Sequence, residues 1–169
     1  MAESSRSSPR SWQAACTFCG AQVTFQSPIS PMAVCSFCRS TLVRDGDTLR
    51  RTGLSGVLFD DHSHLKLGSQ GRWQGEGFAL VGRIQLSYRD PDGLEGRWTE
   101  WQLVFDNGRT GALSEDNGGY ALSFPFEFDA KQLDAIPDTL VGTDRYIGGQ
   151  RWTLSNKVQV SAHALEGEV

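Results

Sequence analysis

The fold is decided by one stretch of the chain, Phe78-Ala-Leu-Val-Gly-Arg-Ile-Gln-Leu-Ser-Tyr88. Apolar and polar residues alternate along it, and this period of two is typical of a β-strand. Gly82 interrupts the row of side chains, so we expect a bulge or the close approach of another segment there. One predicted face carries Phe78, Leu80, Gly82, Ile84, Leu86 and Tyr88, and the other carries Arg83, Gln85 and Ser87.

The stretches that follow this strand have the same period and are separated by turn residues. An alternating face of Thr99, Trp101, Leu103 and Phe105 precedes the hairpin signal Asp106-Asn-Gly108. Two shorter strand-like stretches then flank the turn Asp116-Asn-Gly-Gly119. The pattern predicts an antiparallel meander of four strands and, since the chain has 19 glycines spread between short apolar runs, an all-β fold.

Part of this pattern recurs later in the chain. Leu67-Gly-Ser69 matches Val141-Gly-Thr143 at an offset of 74 residues, and the same offset aligns Phe78 with Trp152 and Leu80 with Leu154. We therefore predict a β domain over residues 64–169 that is built from two related meander or barrel-like units. Unit one covers residues 64–124 and a partial unit two covers residues 138–169, which we expect to stop before the second unit closes.

The four cysteines of the chain form two pairs, Cys16-Thr-Phe-Cys19 and Cys35-Ser-Phe-Cys38. Each pair has the spacing of a zinc knuckle, and the intervening residues suffice for a hairpin. We predict a zinc ribbon over residues 12–45 with one structural zinc per chain, held by all four cysteines. The alternatives are two disulfides or a redox Cys-x-x-Cys, which the expected reducing compartment disfavours.

Charge and composition divide the chain in the same way. Residues 1–53 have a net charge of +3 and residues 54–169 a net charge of −7. The acidic body argues against nucleic-acid binding, whereas the basic ribbon leaves weak phosphate contact open. The Ser-rich residues 1–11 are expected to be a disordered tail rather than a secretory signal, and residues 46–63 a linker. No apolar run has the length of a membrane span, so we expect a cytoplasmic protein.

The candidate recognition residues lie on the predicted second and third strands of the meander. Trp98 beside Glu100 would suit a cationic or amine-bearing group, and Trp101 and Glu115 are grouped with them as partner-binding candidates. Convergence of Glu100 and Glu115 would allow acid–base chemistry. The alternative is structural, with Trp98 packed on a neighbour and the glutamates capping turns or paired with arginines.

Other residues give weaker signals. Asp60-Asp-His-Ser-His64 is either a second metal site or, more simply, a polar linker. We find no Ser-His-Asp or Cys-His arrangement and no phosphate-binding glycine loop, so an enzyme is the less favoured class.

Four segments resemble domain of unknown function 4178, a bacterial family, over residues 64–169. They are Phe78-Ala-Leu-Val-Gly-Arg-Ile84, Trp98-Thr-Glu-Trp101, Leu113-Ser-Glu115 and Glu166-Gly-Glu168. The resemblance implies a cytoplasmic protein of unassigned biochemistry, with a zinc ribbon before the domain and a link to membrane-associated or polyamine-linked gene neighbourhoods. It also implies that family members continue beyond the equivalent of residue 169.

Together, the sequence predicts a non-enzymatic binding or adaptor protein with a structural zinc ribbon and a protein partner. The alternatives are a small hydrolase-like enzyme that uses Glu100 and Glu115, and nucleic-acid binding through the ribbon. The sequence carries no signal for an oligomeric state.

Overall fold

The computed structural model describes residues 11–27, 29–90, 92–134 and 136–169. Its regular structure is almost entirely β, and every strand pair is antiparallel. The predicted all-β fold is therefore confirmed. The predicted disordered tail lies outside the described residues, apart from Ser11. The one helical element in the described ranges is a 3₁₀ turn at Ala130–Leu133, and no helix there has the length and apolarity of a membrane span.

The N-terminal part of the chain forms two small sheets. Strand β1 (Trp12–Ala15) pairs with β2 (Gln22–Phe25), and β3 (Met32–Val34), β4 (Ser40–Asp45) and β5 (Thr48–Leu54) form a three-stranded sheet. Their shared core contains Phe25, Leu42 and Leu49 beside the cysteines.

Strand β5 lies inside the range predicted as a linker, so the ribbon is longer than expected. Its hairpin with β4 turns at Gly46, whose φ of 60° is easily adopted by glycine. The dipeptide Asp45-Gly46 is a hairpin signal that predicts this turn. Leu49, the second residue of β5, is buried in the ribbon core, and this burial stabilises β5 in the sheet.

The body is a larger sheet with the strand order β10–β9–β8–β7–β13. The predicted four-strand meander is confirmed, and β13 adds to its other side. A further strand, β6, pairs with the beginning of β7, while β11 and β12 form a separate hairpin. The bounds are β6 (Gln70–Trp73), β7 (Glu76–Arg89), β8 (Glu95–Phe105), β9 (Thr110–Asp116), β10 (Gly119–Ser123), β11 (Asp144–Ile147), β12 (Gln150–Thr153) and β13 (Gln159–Gly167).

A bulge in β7 changes which of its side chains share a face. The register with β8 shifts between Leu80 and Gly82, so that Leu80 lies opposite Leu103 and Arg83 lies opposite Trp101. Because the extra residue inverts the alternation, Phe78 and Leu80 share a face with Arg83 and Gln85. The predicted grouping of Phe78 and Leu80 with Ile84, Leu86 and Tyr88 was wrong, although the bulge itself was expected.

The register divides the sheet into two faces. We call the first the Trp101 face, and its side chains pack with Leu65, Phe78 and Phe124 into the body core. It contains Leu80, Arg83, Gln85, Thr99, Trp101, Leu103, Phe105, Leu113 and Glu115. We call the second the Trp98 face, and it contains Ile84, Leu86, Tyr88, Trp98 and Glu100.

The segments aligned by the offset of 74 residues form the same hydrogen-bonded hairpin. The Gly68 N–H donates to the Leu80 carbonyl at 2.7 Å, and the Gly142 N–H donates to the Leu154 carbonyl at 2.7 Å. The turn residues Gln74-Gly75 and Gly148-Gly149 all have positive φ. The later segment differs after its hairpin, because the chain is not in a strand between β12 and β13, whereas β7 is continuous.

The end of β13 joins the ribbon to the body. Glu168 forms a bridge with Ala33 of β3, and Met32 and Val169 exchange two backbone hydrogen bonds of 3.1 and 3.0 Å. The Glu168 N–H donates to the Val81 carbonyl at 2.9 Å, on the other side. The last residues therefore lie between the two sheets and are bonded to both.

Candidate metal centre and recognition face

Each cysteine pair sits on a tight turn of the same shape. The Cys16 carbonyl accepts the Gly20 N–H at 2.9 Å, and the Cys35 carbonyl accepts the Arg39 N–H at 2.9 Å. Both turns end in a residue with positive φ, 77° at Gly20 and 59° at Arg39. Glycine adopts this conformation freely, but arginine does so at a cost of about 1 kcal/mol. The backbone strain at Arg39 accompanies a turn that directs the Sγ atoms of Cys35 and Cys38 toward the same point.

The four thiols converge on one point. The Sγ atoms of Cys16, Cys19, Cys35 and Cys38 all lie within 4.8 Å of one another, and two of the distances, Cys16–Cys38 and Cys19–Cys35, are 3.7 Å. A disulfide would require about 2.05 Å, so the cysteines are unbonded. Four sulfurs that surround a tetrahedral zinc at about 2.3 Å would lie about 3.8 Å apart. The cluster therefore has the dimensions of a four-thiolate metal centre.

Two side chains that the sequence did not single out support this centre. Ser40 is buried, and its Oγ lies 3.2 Å from the Cys38 Sγ while accepting a hydrogen bond of 3.0 Å from the Arg51 Nε. The Arg51 guanidinium also stacks 4.3 Å from the centre of the Phe18 ring. Arg51 thus holds the Ser40 hydroxyl beside the Cys38 thiol, as outer groups commonly orient the ligands of a metal centre.

The environments of the half-buried thiols differ. The Ala21 amide lowers the pKa of the Cys19 thiol, but desolvation and the neighbouring thiols outweigh it and raise the pKa to about 12. The Ser40 hydroxyl is the main cause that lowers the pKa of Cys38 to about 6. Of these two thiols, Cys38 is therefore the one that loses its proton more readily.

Trp98 and Glu100 lie together, as expected. The Trp98 Nε1–H donates to the Glu100 carboxylate at 3.2 Å, and the Trp98 ring lies 5.7 Å from the Tyr88 ring. Leu86 is opposite Trp98 and Ile84 is opposite Glu100 across β7 and β8. All five side chains are half-buried. The Trp98 face therefore offers an aromatic pair beside one carboxylate.

Trp101 and Glu115 belong to the other side of the sheet. Trp101 is 0% exposed, so it is a core residue that cannot contact a partner in the folded protein. Glu115 lies opposite Thr99 and accepts hydrogen bonds from the Trp101 Nε1 (3.0 Å), the Ser63 hydroxyl (2.6 Å) and the Tyr120 hydroxyl (2.9 Å). The hydrogen bond to Glu115, and the charge of that carboxylate, raise the pKa of Tyr120. Glu115 therefore anchors the segment around Ser63 to the sheet.

The separation of the two glutamates matters for chemistry. Glu100 lies opposite Ser114 and Glu115 lies opposite Thr99, so their side chains project from opposite faces. The two carboxylates cannot act on one substrate. The expected convergence failed because the hairpin register pairs Glu115 with an odd-numbered residue of β8, which shares the face of Trp101.

The segment Asp60-Asp-His-Ser-His64 crosses the Trp101 face. Asp61 accepts hydrogen bonds from Thr99 (2.7 Å) and Gln85 (3.2 Å) and lies 3.7 Å from the Arg83 guanidinium. Burial alone would raise the pKa of Asp61, but these bonds, the Ser63 amide and the Arg83 charge outweigh it and hold the pKa below its usual value. Within the described ranges, the cysteines are the only group of His, Cys, Asp and Glu side chains placed to hold a metal.

Comparisons with known proteins give no further identity. No protein-family model, curated protein or solved structure matches the chain. The resemblance to domain of unknown function 4178 rests on the quoted residues and stays a prediction.

Proposed function

We propose that this chain is a non-enzymatic binding protein in which a structural zinc ion holds the ribbon and the Trp98 face recognises a protein partner. The observation that carries the proposal is the convergence of four Sγ atoms within 4.8 Å. Four thiolates complete the coordination sphere of zinc and leave no position for an activated water, so the metal stabilises the fold rather than acting on a substrate.

The Trp98 face supplies the recognition surface in this proposal. Aromatic rings beside a carboxylate attract a Lys or Arg side chain through combined cation–π and ionic contacts. Tyr88 enlarges the aromatic surface, and Leu86 adds apolar area next to it. Since Glu100 is separated from Glu115, the face is better suited to binding than to acid–base catalysis. A cytoplasmic location and a bacterial accessory role follow from the resemblance alone and form part of the proposal.

Metal analysis tests the first half of the proposal. We expect about one zinc per chain, and we expect a chelator to unfold the ribbon, because so small a core depends on the metal. A different resident metal, or a ribbon that keeps its fold without metal, would contradict the structural role.

Affinity capture with matched variants tests the second half. Trp98→Ala combined with Glu100→Gln should remove the partners that the intact protein captures from its own cells, while the variant still unfolds cooperatively on heating. The control is Trp73→Ala with Glu76→Gln, which alters another exposed Trp and Glu that lie opposite each other. Equal capture by both double variants would refute recognition by the Trp98 face.

Nucleic-acid binding by the ribbon is the second candidate. Phe18 and Phe37, at the tips of the two cysteine turns, are 61% and 79% exposed, and exposed aromatic rings can stack on bases. Against it, Arg39 donates to the Gly56 carbonyl and Arg51 is bonded to Ser40. Retention on single-stranded DNA or RNA at low salt that disappears with added salt would favour it, and no retention would remove it.

A further inference from the structure

A second site lies at the far end of the Trp101 face, where three strands present polar side chains in rows. Arg97 of β8, Ser87 of β7 and Ser161 of β13 are direct neighbours across the sheet. Glu95, Arg89 and Gln159 form the next row. Because neighbouring strands are about 4.8 Å apart, each row spans about 10 Å.

Two further residues make this platform into a cleft. Phe59 lies beside it, with its ring centre 5.2 Å from the Arg97 guanidinium and 5.7 Å from the His163 ring. The backbone of Phe59 is held by two hydrogen bonds of 2.8 Å to the side-chain amide of Gln85. The cleft has a volume of about 390 Å³ and combines one fixed aromatic wall with a polar floor.

Most polar side chains that line the cleft form no hydrogen bond or ion pair with other described residues. Within the described parts of the chain, the side chains of Ser87, Gln159, Ser161 and His163 make no hydrogen bond or ion pair, and the Arg97 guanidinium makes a cation–π contact with the Phe59 ring but no hydrogen bond or ion pair. In contrast, Gln85, the counterpart of Gln159 at the offset of 74 residues, is buried and fully bonded. A cavity that combines an aromatic wall with a few convergent polar groups has the general composition of a small-molecule site.

The charge of the cleft indicates which class of ligand it can bind. The Arg89 guanidinium is paired with the Glu95 carboxylate, so these two charges cancel. Among the residues that the structure describes, Arg97 forms no ion pair, so its guanidinium contributes a positive charge within a region, residues 54–169, whose net charge is −7. Two hydroxyls and an amide beside an unpaired guanidinium match the hydrogen-bonding needs of an oxyanion.

We infer that this cleft binds a small organic anion whose phosphate or carboxylate group is held by Arg97, Ser87 and Ser161 and whose apolar part lies against Phe59. The site is separate from the metal centre, and Arg97, Ser87 and Ser161 lie on the face of the sheet opposite to Trp98 and Glu100. It gives the protein a small-molecule ligand in addition to its proposed protein partner.

Titration of the full-length zinc-loaded chain with three probes tests this inference. Inorganic phosphate, phenyl phosphate and benzoate are added at about 0.15 M salt, which screens diffuse attraction, and amide chemical shifts of residues in β8 and β13 are followed. We expect saturable binding with a dissociation constant near or below about 1 mM for at least one aromatic probe. The tighter of phenyl phosphate and benzoate identifies the oxyanion, and tighter binding of phenyl phosphate than of phosphate reports the Phe59 contact.

Variants of the cleft distinguish binding at a specific site from nonspecific electrostatic attraction. Arg97→Gln should weaken binding about tenfold or more, since it removes a charge-assisted hydrogen bond. Ser87→Ala with Ser161→Ala should weaken it several-fold, and Arg72→Gln, an exposed arginine of β6 outside the cleft, should leave it unchanged. Overlapping amide spectra without ligand show that each variant is folded. Failure of all three probes to saturate by about 10 mM, or equal weakening by Arg72→Gln, would overturn the inference.

Discussion

Replacement of Glu168 by alanine should loosen the attachment of the ribbon to the body sheet. The Glu168 side chain is only 3% exposed, and its carboxylate oxygens accept the Gln26 N–H at 2.5 Å and the Ser27 N–H at 2.9 Å. Both donors follow β2 directly, between the two cysteine pairs. Glu168 is thus the side chain through which the sheet holds the turn that links the two halves of the metal centre.

The expected loss follows from the exposure of the two donors. Ser27 is 0% exposed, so its N–H would lose its acceptor without access to water, at a cost of about 1–3 kcal/mol. Gln26 is exposed, so its N–H can turn to solvent and only the net value of the bond is lost, about 0.5–1.5 kcal/mol. The sum is about 1.5–4.5 kcal/mol, a large share of the roughly 5–15 kcal/mol that stabilise a typical domain.

Urea denaturation of the zinc-loaded protein measures this loss, and transfer of zinc to a chelator measures its effect on the metal centre. Glu168→Ala should lower the free energy of unfolding by that amount and speed zinc release. Glu168→Gln keeps one acceptor oxygen, so its free energy of unfolding should lie between those of Glu168→Ala and the unaltered protein. Glu76→Ala, at an exposed position, is the control and should change stability by less than about 0.5 kcal/mol. A Glu168→Ala variant as stable as the control, with unchanged zinc release, would refute the coupling.

Three further changes give sharp outcomes. Gly82→Ala should destabilise the protein by about 3 kcal/mol or more in urea denaturation, because its Cβ would lie 1.6 Å from the Glu168 carbonyl oxygen, whereas Gly53→Ala, with open space around it, should be nearly neutral. Cys35→Ser should reduce the zinc content measured by metal analysis well below one per chain while the circular dichroism of the body strands persists; full zinc occupancy would contradict the ligand assignment. Since the pKa of Asp61 is lowered on folding, its stabilisation is complete above its unfolded value near 3.8 and is lost as the pH falls through the lower folded value. Asp61→Asn should therefore flatten the decline of stability below about pH 4 in acid titrations followed by tryptophan fluorescence, and an unchanged slope would show that Asp61 makes no such contribution.

The features that the sequence predicts well are those set by short spacings. Two Cys-x-x-Cys pairs needed only one turn each to direct their thiols, so the cluster of four cysteines follows from local geometry. The alternation around Trp101 predicted its strand and its buried face, because no residue is inserted in β8. Asp45-Gly46 would have predicted β5 in the same way.

The features that were missed depend on register or on distant contacts. Gly82 indicated either a bulge or a close approach, but the sequence did not show that one inserted residue before it would reverse the two faces of β7. Glu115 was placed beside Glu100 because the register of β8 with β9 was not known. The cleft at Arg97 is formed by three strands and the segment at Phe59, so its residues are scattered along the chain and share no motif.

The contact of Glu168 with Gln26 and Ser27 also bears on the order in which the protein forms during synthesis. The four cysteines that could hold a metal ion lie between residues 16 and 38, so the cluster is complete while most of the chain is still being translated. The acceptor for Gln26 and Ser27 is added 142 and 141 residues after them. Until then the turn at Ser27 is open to water, and docking must wait for the closure of a very long loop, which is a slow class of contact. The nascent chain should therefore pass through a stage in which a metal-loaded ribbon moves independently of the unfinished sheet.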